Sequence, residues 1–128
     1  WPVVMVGLDL THQALATPEV ESRFAALRTS AGDFVVALID AFRRNYKDAQ
    51  DFDNPPVHDP CAVAYVIDPS LVETVSAPLS VELAGTLTRG RTVADFRASN
   101  APCNTSVATR LDVERFWDLV VDAVQRLG

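Results

Sequence analysis

The sequence predicts an α/β fold with a mixed sheet, on three observations. Val3-Val4-Met5-Val6 is a continuous and mostly β-branched run, the pattern of a strand buried in a parallel sheet rather than one lying on a surface. Helical signals and helical apolar spacing dominate residues 17–46, whereas residues 80–96 read as an antiparallel pair of strands joined by a turn. One further strand and a closing helix finish the chain.

Taken in order, the strand at residues 3–6 continues or closes over 7–10, and Thr11-His12-Gln13 follows as polar strand end or loop, with no chemistry assigned to His12. Thr17-Pro18-Glu19-Val20-Glu21 is a helix start: a capping hydroxyl, a proline at the first helical position and acidic residues in the first turn. That helix is expected over residues 18–28. A second begins at Ser30-Ala31-Gly32-Asp33, with Phe34, Val35, Leu38, Ile39 and Phe42 at helical spacing, and is expected to end near Tyr46. Residues 47–54 are polar and include Asp48, Asp51 and Asp53. They lack the glycine and terminal glutamate of an EF-hand loop and read as a solvated loop. Strands are expected at 71–77, at 80–83 pairing with 92–96, and at 104–110. Asp112 caps a final helix over 113–127, whose Val113, Phe116, Trp117, Val120, Val121 and Val124 form an apolar stripe.

Composition narrows the function. With 11 basic against 17 acidic residues the net charge is −6, and no basic cluster exceeds Arg43-Arg44, so nucleic acid is not an expected partner. No signal peptide and no apolar run of about 18 residues is present, so a membrane partner is not expected either. Cys61 and Cys103 are far apart among small or apolar neighbours, which suits buried reduced thiols in a cytoplasmic protein. The 128 residues make one domain at most, and a chain opening on Trp1-Pro2 in mid-strand looks like part of a longer one.

The segment Pro56-Val57-His58-Asp59-Pro60-Cys61-Ala62-Val63-Ala64-Tyr65 places an imidazole and a carboxylate together where a polar loop becomes an apolar helix. Asp59 before Pro60 is the expected N-cap. The helix at 61–67 is apolar all round and is therefore expected to be buried. Two local roles are open. His58 and Asp59 are either a loop histidine and a helix cap, or an acid-base group beside an oxygen ligand for a hard cation.

This segment, with Met5-Val6-Gly7-Leu8-Asp9-Leu10-Thr11-His12-Gln13 upstream and Gly85-Thr86-Leu87-Thr88-Arg89-Gly90-Arg91-Thr92-Val93-Ala94-Asp95 downstream, resembles the C-terminal part of the inosine-uridine preferring nucleoside hydrolases. The final segment, 104–119, looks like that family's last strand and helix, and His-Asp-Pro-Cys is the most specific element. The resemblance implies a single partial domain over 1–128, the C-terminal half of a Rossmann-like open mixed sheet. It implies a ribonucleoside substrate, hydrolysed at its N-glycosidic bond, and a Ca2+ cofactor. Carried over, Asp59 is a calcium ligand and His58 the general acid for the departing base. Tyr46, twelve residues before His58, and Phe42, on the same helix face as Tyr46, are the aromatic residues that close over the base.

One departure is large. The family's Asp-x-Asp-x-x-x-Asp-Asp motif, the source of most metal ligands and of the water-activating base, does not occur in this chain, nor do the segments that hold the ribose. Calcium prefers six to eight oxygens, so the chain alone is expected to be inactive. The alternative is a non-catalytic α/β module that binds a partner or forms a homo-oligomer through an open sheet edge at Trp1, Val3, Val4 and Met5.

Overall fold

The computed structural model places residues 1–50, 53–97 and 102–128, and the side chains of all of these except 47–50. The elements are β1 (Val4–Met5), α1 (Leu8–Thr11), α2 (Pro18–Ala26), α3 (Ser30–Gln50), α4 (Asp59–Ile67), β2 (Val72–Ala77), β3 (Leu79–Val81), β4 (Thr92–Ala94), β5 (Thr105–Leu111) and α5 (Val113–Gln125). Three strands form an open sheet in the order β1-β5-β2, with β5 parallel to β1 and antiparallel to β2. The sheet is mixed, as expected. β3 and β4 pair antiparallel as a separate hairpin, Leu79 opposite Ala94.

Local chemistry explains most boundaries. The Thr17 hydroxyl accepts from the Val20 N–H at 3.4 Å and starts α2, and the Asp112 carboxylate accepts from the Arg115 N–H at 3.2 Å and starts α5. Both caps were legible in the sequence. Two boundaries change. The strand does not run on past Gly7, because the Gly7 carbonyl accepts from both Leu10 and Thr11, each at 3.1 Å, and turns the chain into α1. α3 continues to Gln50, since Lys47-Asp48-Ala49-Gln50 holds neither glycine nor proline to stop it. Of the three expected loop carboxylates, Asp48 is thus on the helix, Asp53 is exposed, and Asp51 lies outside the described residues.

The core gathers where α2, α3 and α5 meet: Phe24, Ile39, Phe116, Trp117 and Val121 are buried, with Leu111 from β5 beside them. Phe24 meets the Trp117 ring edge-on, centroids 6.2 Å apart, and Phe116 meets it at 5.0 Å. Arg43 ties α3 to α2 through the Glu21 carboxylate at 2.6 Å, and also donates to the Ala16 carbonyl.

Gly32 sets how closely α3 approaches α2. A Cβ added there would lie 2.7 Å from the Phe24 carbonyl oxygen, closer than side-chain carbons come to backbone. Gly32→Ala is therefore expected to lower stability by about 1–3 kcal/mol, the usual cost of overpacking. Urea unfolding checks this, and an unchanged midpoint would show that the contact relaxes freely.

α4 departs from its expected burial. Cys61 and Ala64 are buried, but Val63, Val66 and Ile67 are exposed, because no described element covers that side of an all-round apolar helix. Trp1 and Val3 are exposed as expected at the sheet edge, whereas Val4 and Met5 are half-buried. Only Cys61 of the two thiols is buried; Cys103 is exposed, since it precedes β5 rather than joining it. Burial pushes the Cys61 thiol up to about 11, and it donates to the Val57 carbonyl. No described helix is long and apolar enough to cross a membrane.

Candidate functional site

His58 reaches its place by backbone pairing. The Ala16 N–H donates to the Pro55 carbonyl at 2.9 Å and the Val57 N–H to the Ala14 carbonyl at 3.0 Å, around a bridge between Leu15 and Pro56. Two prolines have no N–H to offer, so this short pairing uses the groups that remain. It delivers His58 onto the end of α1. That end is itself pinned to the sheet by Gln13, whose amide donates to the Thr109 carbonyl at 2.9 Å and accepts from the Leu111 N–H at 2.9 Å.

The imidazole sits in a chain of hydrogen bonds. His58 Nδ1 lies 2.8 Å from the Thr11 hydroxyl, and Nε2 lies 2.9 Å from the Tyr46 hydroxyl. The His12 ring is beside it, centroids 5.9 Å apart. His58 rather than Asp59 occupies the N-cap position of α4, with its carbonyl accepting from the Cys61 N–H and no side-chain cap bond. The expected cap is thus corrected. The Asp59 carboxylate stands in the first helical turn, exposed, and makes no hydrogen bond or ion pair among the described residues. A carboxylate there suits the positive end of the helix dipole while remaining free for a ligand.

Around these groups is a cavity of about 500 Å³, within the range of small-molecule sites. Its wall includes His58, Asp59, Tyr46 and Phe42 together with Leu38 and Trp117. The structure therefore brings all four sequence-designated residues to one cavity. They enter it differently. Tyr46 and Phe42 lie along α3 one turn apart, ring centroids 6.5 Å apart, and the Tyr46 hydroxyl turns towards the histidine rather than away from it. The Trp117 indole N–H is buried and without a hydrogen-bond partner among the described residues. The rest of the lining is apolar, so a flat, weakly polar ring system fits better than a charged ligand.

Calcium does not fit the residues present. No three His, Cys, Asp or Glu side chains converge on one point among the described residues. Asp59 offers at most two of the six to eight oxygens that calcium takes.

His58 and the exposed Asp59 carboxylate thus stand on the wall of a cavity that Phe42, Tyr46 and Trp117 also line. The family model for inosine-uridine preferring nucleoside hydrolase matches residues 1–118. The chain belongs to that family. Similar relatives are the inosine-uridine preferring nucleoside hydrolases of Crithidia fasciculata, 50% identical over 129 aligned positions, and of Leishmania major, 49% identical over the same span. Each alignment covers 100% of this chain and 41% of the relative. Among solved structures, a purine-preferring ribonucleoside hydrolase from Gardnerella vaginalis superposes with a TM-score of 0.80 at 33% identity, covering 99% of this chain and 42% of that one. The chain thus spans well under half the length of these nucleoside hydrolases, and its fold is part of theirs.

Two neighbours of His58 escaped the sequence analysis. Thr11 and His12 were read as polar strand end or loop, yet they touch the His58 ring. The available signal was slight: a polar Thr-His pair immediately after an apolar run, with nothing local to say what it faces.

Proposed function

We propose that this chain carries part of the active site of a ribonucleoside hydrolase, with His58 as the general acid that protonates the departing base. The observation that carries it is the placement of His58 Nε2 at 2.9 Å from the Tyr46 hydroxyl on the wall of the aromatic cavity. Hydrolysis of an N-glycosidic bond develops positive charge on the sugar and negative charge on the base. A proton donated to the base in the transition state lowers that barrier. Tyr46 holds the imidazole, and with Phe42 gives the base an aromatic surface to stack against. Asp59 is proposed as one ligand of a calcium ion whose other ligands come from elsewhere in the whole hydrolase. By the same count of oxygens the chain alone is inactive.

The test is calorimetric and kinetic. Calcium titrated into this chain is expected to give no heat of binding at micromolar concentrations, and the chain is expected to release no base from inosine or uridine. A whole hydrolase containing this sequence is expected to bind calcium and cleave, and to lose calcium affinity on Asp59→Asn. Hydrolysis by the 128-residue chain itself would overturn the assignment of the remaining machinery to other segments.

A further inference from the structure

Thr11 closes α1 and is 3% exposed. Its hydroxyl has one hydrogen bond among the described residues, the one at 2.8 Å to His58 Nδ1. A buried hydroxyl has a proton to place, and leaving it without an acceptor carries the full desolvation cost. Nδ1 is the acceptor within reach, provided that it carries no proton of its own. When Thr11 donates to Nδ1, the neutral ring must hold its single proton on Nε2. Nε2 is the nitrogen on the Tyr46 and cavity side.

We propose that Thr11 is a positioning residue: its hydroxyl, donating to Nδ1, fixes His58 as the Nε2–H tautomer and aims that N–H at the Tyr46 hydroxyl and the cavity. The proposal rests on the role given to His58 above: it fixes which nitrogen of the neutral ring is bare, and a proton taken up there, with the Thr11 hydroxyl turning to accept, gives the imidazolium whose Nε2–H is the acid. The geometry is stiff at both ends. A β-branched threonine in a helix has restricted χ1 choice, and the Gln13 bonds to Thr109 and Leu111 prevent the α1 terminus from drifting. His12 flanks the ring without occupying either of the nitrogen positions taken by Thr11 and Tyr46.

The tautomer is directly measurable. The chain has two histidines, so a long-range ¹H–¹⁵N spectrum of histidine-labelled protein holds two imidazole patterns, assigned with His12→Gln. Recorded at about pH 8.5, to observe the neutral ring, the His58 pattern is expected to show a protonated Nε2 and an unprotonated Nδ1. Thr11→Ser, which keeps the hydroxyl, is expected to retain it. Thr11→Val, which keeps the shape and removes the donor, is expected to give a mixed or Nδ1–H pattern while circular dichroism stays unchanged. An Nδ1–H pattern in the unaltered chain overturns the proposal whether or not the valine variant folds, and so does an unchanged pattern in a folded valine variant. No turnover is read, so failure of the hydrolase assignment would leave this result standing, and the reverse.

Discussion

His58→Ala in a whole hydrolase carrying this chain is expected to lower kcat on inosine by about 10²–10⁴-fold, the usual contribution of a positioned proton donor. KM should change far less, because the aromatic wall that includes Phe42 and Tyr46 remains. The substitution also leaves the buried Thr11 hydroxyl without its partner, so a stability loss of about 1–3 kcal/mol is expected alongside. Two measurements separate these effects. Unfolding in urea reports the stability loss. A riboside whose leaving group departs without protonation, such as an acidic phenolate, should keep most of its turnover in the alanine variant. Equal losses on inosine and on the phenolic riboside would remove His58 from the role of acid. Tyr46→Phe is the milder companion, since it deletes the bond to Nε2 but keeps the ring edge-on to Phe42.

Phe116→Ala is expected to cost about 3–5 kcal/mol of stability, among the largest effects of a single core truncation. The Phe116 ring is 0% exposed and packs on Trp117, which in turn packs on Phe24 from α2. The truncation opens a void between α5 and its neighbours that these rigid rings fill poorly. Against a total stability of about 5–15 kcal/mol for a domain, the urea midpoint should fall steeply, and part of the population should unfold at 37 °C. Because Trp117 also lines the cavity, the loss should loosen the site as well as the core. A midpoint shift equivalent to less than about 1 kcal/mol would mean that the helices close over the void.

Much of this was legible because it is local. Thr17-Pro18 and Asp112 announce helix starts through the first-turn N–H groups they satisfy, and the structure uses both. The apolar stripe of α5 needs nothing but its own spacing to identify a buried face. The His58-Asp59 pair stood out because two ionisable residues interrupt an otherwise apolar segment. Asp59-Pro60 misled for an equally physical reason. A capping signal predicts a cap only when nothing else competes, and here the chain enters α4 with His58 at the cap position and its ring engaged elsewhere. α1 was illegible, since four residues are too few to show helical spacing.

By itself, then, the sequence determined the longer elements, that their sheet is mixed, and which side-chain chemistries the chain carries. Only the tertiary structure decided their company. Thr11 meets His58 across 47 positions of chain, because residues 14–16 pair with 55–57 through backbone groups that every residue possesses. Tyr46 points its hydroxyl at the same ring from α3, twelve positions earlier in the chain and on a helix packed against α2 and α5. Contacts of this kind arise from how distant segments pack, and no local periodicity or capping preference encodes them.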